Sequence, residues 1–184
     1  EDLKANLKHF LSEVVPVAQE AGCIMVIHPD DPPRSILGLP RIFSTQEDIH
    51  TLLGMVDNPA NGICFCAGSF SGRLDNNIVE MFKSCAPRVG FIHLRSTQHD
   101  SEGNFFEANH LEGCVDMYGL VKAIIEEQLR RKKEGRADWQ IPFRPDHGHT
   151  MLDDLAKPPC PNPGYTAIGR LKGLAEIRGL ELGI

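Results

Sequence analysis

The sequence predicts an α/β fold with a parallel sheet, of the TIM (β/α)8 barrel type, of which this chain supplies the last four βα units. Short apolar runs alternate along the chain with helical patterns, which is the arrangement of a parallel sheet with right-handed crossovers. Each run also leads into side chains that can bind a metal, as expected at the catalytic ends of barrel strands. The runs with these side chains cover residues 24–28, 63–66, 89–93 and 141–149.

Chain length limits how much of a barrel is present. At 184 residues, with 41% hydrophobic and 24% charged residues, the chain has the composition of one globular domain, 1–184. A complete barrel takes roughly 250 residues, so four units predict the C-terminal half of one, or else a smaller open sheet. Half a barrel leaves two open sheet edges, and we expect an upstream half as its partner. The chain opens on Glu1 without an initiator Met, which suits a fragment or a processed chain.

Charge, cysteine spacing and hydropathy argue against several classes of partner. The net charge is −6 and the basic residues are mostly dispersed, so nucleic acid is not expected. Six cysteines show no framework spacing and the N-terminus has no signal-peptide pattern, which favours the reducing cytoplasm. No apolar run approaches the roughly 18 residues of a membrane span. We also expect a homo-oligomer, of a size that the sequence leaves open.

The elements follow in the order α-β-α-β-α-β-α-β-α. Apolar residues at helical spacing predict a helix from Leu3 to Ala21, and Gly22 follows where a helix C-terminal glycine belongs. The first strand covers 23–27, and the prolines after residue 28 end it. Ser44 or Thr45 caps a helix to about residue 56. The other predicted elements are strands over 63–66, 89–94 and 139–143 and helices over 76–85, 117–131 and 168–177.

Two segments do not fit regular elements. The connection 96–113 has little periodicity, and a loop of that length in a compact domain is more often functional than idle. It contains His99, Asp100, Glu107 and His110. The segment 158–165 is too rich in proline for regular structure.

Four side chains at the strand ends are the candidate metal ligands: His28, Cys66, His93 and Asp146. Such ends converge in a parallel barrel. Two imidazoles, a thiolate and a carboxylate suit borderline divalent ions better than Mg²⁺ or Ca²⁺. The alternative is that these four residues have structural roles, because their separations in the sequence do not match a local metal-binding motif. Cys64 points to the same side as Cys66, and we choose Cys66 because it lies nearer the strand end.

Other polar residues near these ends are candidates for catalysis. His147 can act as a general acid or base near neutral pH, and Tyr165 can carry a proton from its rigid loop. Arg95 or Arg144 can hold a substrate carboxylate with two hydrogen bonds. Each residue also has a structural alternative. His147 can be a surface histidine, Tyr165 can pack in the interior, and either arginine can be an ion-pair partner.

Several segments closely resemble the mannonate dehydratase family. They are Arg144-Pro145-Asp146-His147-Gly148-His149, residues 162–165 with 168–176, residues 65–69, and residues 110–113 with 115–118. The resemblance runs from about His28 to the C-terminus and covers the second half of that enzyme. It implies a xylose-isomerase-like barrel that uses Mn²⁺ or Fe²⁺. The implied reaction removes water from the sugar acid D-mannonate to give 2-keto-3-deoxy-D-gluconate in hexuronate breakdown.

The resemblance also implies roles for individual residues. The residues that match the family's metal ligands are His28, Cys66, His93 and Asp146. The candidates for proton transfer are Asp146, His147 and Tyr165, with Arg95 and His110 as substrate contacts. An ionised ligand is a poor free base, so Tyr165 or His147 takes the proton if Asp146 stays on the metal.

Two other functions stay open at this point. One is a related metal-dependent sugar isomerase or epimerase, which interconverts keto and aldo sugars without losing water. The other is a non-catalytic fragment in which the strand-end residues are structural.

Overall fold

A four-stranded parallel sheet forms the centre of the computed structural model, which describes residues 2–159 and 165–184. Neighbouring strands pair in parallel throughout, which confirms the parallel α/β class. Within the described residues, the first and last strands in this order are the edges of the sheet. In spatial order the strands are β1 (Met25–Ile27), β2 (Asn61–Cys66), β3 (Val89–His93) and β6 (Phe143–Arg144).

Helices connect these strands, as the alternating pattern predicts. Side-chain caps start three of them: Thr45 forms a capping box, and Asn77 and Asp116 each accept a backbone N–H of the first turn. Within the described residues, none is both long and apolar enough to cross a membrane. The helices are α1 (Asp2–Glu20), α2 (Gln46–Met55), α3 (Ala67–Ser71), α4 (Ile78–Cys85), α5 (Met117–Lys133) and α6 (Ala167–Gly183), with short 3-10 helices at Ala86–Arg88 and Leu152–Ala156.

The hydrophobic core lies between the sheet and the helices. Alternation along β2 directs Ile63 and Phe65 into this core, where Phe65 packs edge-on against Phe82 with ring centroids 5.3 Å apart. The intervening Cys64 and Cys66 therefore face the other side of the sheet. This places a potential metal ligand on the face opposite the main core.

The last strand is shorter and later than predicted. We expected 139–143, but β6 covers only Phe143–Arg144. The amide of Ile141 donates to the side chain of Gln128 on α5, and Pro142 has no amide hydrogen to donate. The ladder with β3 therefore includes the carbonyl of Pro142 but has no regular strand before Phe143.

The long connection after β3 contains a hairpin that we did not predict. Strands β4 (Thr97–His99) and β5 (Phe105–Glu107) pair antiparallel. The carboxylate of Asp100 accepts the amides of Glu102 and Asn104 and so closes the turn. The hairpin brings Glu107 to the carboxyl end of the parallel sheet.

Chain ends and loops account for the remaining differences. The predicted strand 23–27 starts at Met25 because the amide of Cys23 donates to Ala18 at the end of α1. Helix α3 was not predicted, and α6 extends beyond the predicted 168–177 to Gly183. Of the proline-rich segment 158–165, residues 160–164, including Cys160, lie outside the described residues.

Candidate active site

Three of the predicted metal ligands meet at the carboxyl end of the sheet. His28 follows β1, Cys66 ends β2 and His93 ends β3, and one potential ligand atom from each lies within 4.8 Å of the others. Cys66 and His93 are direct partners in the register of β2 and β3. Nε2 of His28 lies 3.2 Å from Nδ1 of His93. The convergence predicted for parallel strand ends therefore occurs for these three residues.

The loop after β1 orients His28 towards this group. Nδ1 of His28 lies 2.7 Å from the carbonyl oxygen of Pro29, which can only accept, so Nδ1 carries the hydrogen and donates it. Nε2 then presents its lone pair towards His93. A backbone carbonyl that fixes the tautomer of a histidine in this way is a common support for a metal ligand.

Cys66 is the cysteine that joins the group, as predicted over Cys64. The side chain of Cys66 is fully buried. Burial, and next the nearby Cys66, raise the pKa of the Cys64 thiol to about 12. Among the described residues, the group within ligand distance of one another contains Cys66 and does not contain Cys64.

Asp146 borders the three-residue group. Its Oδ2 lies 3.7 Å from Nδ1 of His93, and the residue is 2% exposed. Its φ of +54° is in the left-handed region, which aspartate tolerates better than most residues. Oδ1 lies 2.8 Å from Nη2 of Arg144, but within the described residues it accepts no well-aligned hydrogen bond.

These observations fit a divalent cation. The donor set combines two imidazole nitrogens and a thiol, and the carboxylate of Asp146 lies beside it. Of these residues Cys66, His93 and Asp146 are buried. The carboxylate of Asp146 is buried and pairs with Arg144 through Oδ1, while its Oδ2 faces His93, and a buried charge of this kind is stabilised by a nearby cation. A borderline ion suits this mixed set of nitrogen, sulfur and oxygen donors.

A chain of polar contacts starts next to Asp146. Nε2 of His147 lies 2.6 Å from the hydroxyl of Tyr165, and Nδ1 lies 3.0 Å from Oε1 of Glu107. The same Nε2 is 3.7 Å from Oδ2 of Asp146, which is too far for a hydrogen bond. The structure thus joins His147 and Tyr165, both predicted as proton carriers, and adds Glu107 as their third member.

Arg95 holds the outer end of this chain. Its Nε lies 3.0 and 2.9 Å from the two carboxylate oxygens of Glu107, and its Nη1 lies 2.6 Å from Oδ2 of Asp31. Burial alone would raise the pKa of Glu107, but hydrogen bonds from His147 and Arg95, together with their charges, lower it to about 2. Arg95, which we predicted to contact substrate, is 5% exposed, and its guanidinium is paired with the carboxylates of Glu107 and Asp31.

His110 supports the backbone beside the site. Its Nε2 contacts the carbonyl oxygen of Pro145, directly before Asp146, and the residue is 3% exposed. Burial lowers the pKa of its imidazole. The ring packs where a side chain on Gly173 of α6 would lie, since a Cβ there would be 2.3 Å from Cε1. His110 thus lies between α6 and the loop that carries Asp146.

Sequence reasoning missed three residues around the site. Asp31, Ser69 and Glu107 were assigned no role, although Oγ of Ser69 lies 3.1 Å from Sγ of Cys66 and 3.1 Å from Oδ2 of Asp31. Each of these residues follows a strand or lies in the loop 96–113. The sequence signal that could have identified them was this position near the carboxyl ends of the parallel strands. The contacts themselves join residues far apart in the chain.

Fold and site together define a protein with a parallel α/β sheet and a potential His/Cys metal site at the carboxyl ends of its strands. The chain belongs to the D-mannonate dehydratase (UxuA) family, whose model matches residues 1–184. The family resemblance inferred from the sequence motifs is confirmed.

Individual relatives agree with this assignment. The chain is 51% identical to "Mannonate dehydratase" of Marinomonas sp. (strain MWYL1) over 99% of its own length and 46% of the relative's. It is 50% identical to "Mannonate dehydratase 2" of Agrobacterium fabrum, over 97% of its length and 44% of the relative's. The crystal structure of mannonate dehydratase from Streptococcus suis serotype 2 superposes with a TM-score of 0.86 at 36% identity, over 100% of this chain and 49% of that one. The chain thus spans less than half of each relative.

Proposed function

We propose that this chain belongs to a metal-dependent dehydratase that converts D-mannonate to 2-keto-3-deoxy-D-gluconate and water in hexuronate breakdown. The observation that carries this proposal is the convergence of His28, Cys66 and His93 beside the His147–Tyr165 pair, in a chain of this family. Its alternatives are a related sugar isomerase or epimerase and a non-catalytic fragment.

The proposed activity belongs to a whole protein of which this chain is a part. We propose that residues 1–184 form a single domain supplying the last four βα units of a (β/α)8 barrel, with an upstream half completing it. The parallel sheet with two open edges supports this arrangement. The cysteines that the structure describes are free, which suits a cytoplasmic location. We also propose a homo-oligomer.

Four residues would hold the metal ion. We propose His28, Cys66, His93 and Asp146 as ligands of Mn²⁺ or Fe²⁺, since both ions accept imidazole and carboxylate donors. A cation bound there supplies Lewis-acid catalysis, which makes the C2 proton of a sugar acid easier to remove.

Tyr165 and His147 would carry the protons. Dehydration removes a proton from C2 and a hydroxyl group from C3, which leaves as water once protonated, and the resulting enol becomes the keto acid. Tyr165 is 40% exposed as a residue, and its hydroxyl contacts Nε2 of His147. Proton transfer along this contact can serve either step. Asp146, as an ionised ligand, would not act as the free base.

The predicted substrate contacts are better supported as positioning residues. Arg95 points three of its nitrogens at the carboxylates of Asp31 and Glu107, and His110 is buried against α6. We therefore propose that both residues position the groups at the site, while direct contact with substrate stays a prediction for each.

The test uses this chain joined to its upstream half. The protein is incubated with D-mannonate and Mn²⁺, and formation of an α-keto acid is followed; a sample treated with a chelator is the control. Metal-dependent release of the keto acid supports the proposal. Interconversion of aldo and keto sugars without keto acid would favour the isomerase. A protein that holds no metal and converts neither would favour the non-catalytic fragment.

A further inference from the structure

The β4–β5 hairpin brings a carboxylate against the imidazole next to Asp146. Oε1 of Glu107 lies 3.0 Å from Nδ1 of His147, on the side of the ring opposite Tyr165. The two side chains are 27% and 21% exposed, so both are mostly shielded from water. Forty positions separate them in the chain, and the hairpin carries Glu107 to the loop that contains His147.

We propose that Glu107 is a positioning residue that fixes His147 in the tautomer with hydrogen on Nδ1, and so directs the lone pair of Nε2 to the hydroxyl of Tyr165. The inference rests on the proposed function, which assigns proton transfer to His147 and Tyr165. It adds a residue and a role to that pair.

The chemistry of the three groups determines this tautomer. An ionised carboxylate has acceptors only, so the nitrogen that faces Glu107 must supply a hydrogen. A neutral imidazole has one N–H, and therefore Nε2 is left as an acceptor. The hydroxyl of Tyr165, 2.6 Å away, can donate to it. With hydrogen on Nε2 instead, the carboxylate would face the lone pair of Nδ1 at close range.

Arg95 keeps Glu107 in the form and orientation that the role requires. Its Nε reaches both carboxylate oxygens, at 3.0 and 2.9 Å, and the other side of the guanidinium is held by Asp31 at 2.6 Å. Hydrogen bonds from His147 and Arg95, and then the charges of both groups, lower the pKa of Glu107 to about 2 in spite of its burial, so it is a carboxylate at neutral pH. Arg95 is 5% exposed, which limits its freedom to move.

The tautomer makes one proton transfer possible. The O–H bond of Tyr165 breaks as an N–H bond forms at Nε2 of His147, which leaves a phenolate and an imidazolium. The positive charge formed on the ring faces the carboxylate of Glu107, as in the orienting acid of a catalytic triad. The reverse transfer restores both groups, and no other reactant is consumed.

The experiment compares Glu107→Gln with Glu102→Gln, an identical change at an exposed position of the same hairpin. An amide can donate as well as accept, so the side chain introduced by the first change no longer dictates the tautomer of His147. We measure ring nitrogen chemical shifts of ¹⁵N-histidine-labelled, metal-free protein at mildly alkaline pH, using His147→Gln to identify the signals. Steady-state kcat and KM are measured on the metal-loaded protein that includes the upstream half.

The expected wild-type spectrum shows a protonated Nδ1 and an unprotonated Nε2 for His147. Glu107→Gln is expected to populate the other tautomer and to lower kcat about 10²-fold or more, with KM changed less than about threefold. Glu102→Gln should match wild type in both measurements.

A wild-type His147 with hydrogen on Nε2 would overturn the inference, and so would a Glu107→Gln protein with unchanged tautomer and kcat. The wild-type spectrum decides the question even if Glu107→Gln does not fold. Should the protein not dehydrate D-mannonate while the tautomer still follows Glu107, the positioning role stands and the proposed function fails.

Discussion

Nε2 of His28 lies 3.2 Å from Nδ1 of His93, although 65 positions separate the two residues. Because Nδ1 of His28 donates to the carbonyl of Pro29, its Nε2 has only a lone pair to offer. Two ring nitrogens directed at each other beside a buried cysteine form a pair that a shared cation would stabilise.

His28→Ala is expected to reduce the affinity for Mn²⁺ by more than about 100-fold, since loss of a ligand should cost more than loss of a supporting contact. Calorimetric titration of the metal-free protein measures the change. His50→Ala, at an exposed position on α2, is the matched control and should bind as wild type does. Equal affinity in His28→Ala and wild type would remove His28 from the site.

Tyr165→Phe is expected to lower kcat by about 10²- to 10⁴-fold with little change in KM. The substitution removes only the hydroxyl that contacts His147 and keeps the ring, which packs under the Arg170 guanidinium 5.6 Å from its centroid. Tyr118→Phe, at an exposed tyrosine on α5, is the control. A change confined to KM would instead assign the hydroxyl to substrate binding.

The stability of the protein is expected to fall in acid partly through Glu107. Its pKa is lowered from 4.5 to about 2 in the folded protein, so its contribution is present above pH 4.5 and is lost as the pH falls towards 2. The full contribution is on the order of 3 kcal/mol. Urea unfolding at a series of pH values should show a shallower loss for Glu107→Gln than for wild type. Parallel curves for the two proteins would contradict the shift.

Gly173→Ala is expected to destabilise the fold by about 1–3 kcal/mol, because the added methyl group must displace a buried ring. A Cβ at this position would lie 2.3 Å from Cε1 of His110, whose imidazole contacts the carbonyl of Pro145. Gly179→Ala lies on the same helix with nothing within 4 Å and should be neutral or stabilising by up to about 1 kcal/mol. Denaturant unfolding of both variants tests this, and equal effects would show that His110 moves freely.

The sequence predicts the parts of the fold that depend on local pattern. Apolar runs ending at His28, Cys66 and His93 predicted three strand ends, and the parallel order of the sheet brings those ends together. The helix cap predicted at Ser44 or Thr45 is present at Thr45, and such caps can be predicted because capping depends on a few adjacent residues.

Contacts between distant loops were not predictable. Strands β4 and β5 have three residues each and are partly exposed, so neither has enough alternation to be recognised. The side chain of Glu107 contacts His147, which lies 40 positions later in the chain. Sequence periodicity predicts local elements and gives no signal for a contact at this separation. Strand β6 was placed too early because the contact of Ile141 with Gln128 on α5 has no sequence signature.

The pairing of Cys66 with His93 across β2 and β3 has a consequence for how the sheet assembles. A slip of one residue between these strands would turn one of the two side chains to the opposite face. Only the native alignment then offers nitrogen and sulfur donors to the same point. Ion binding would therefore favour correctly aligned strands over slipped ones during folding.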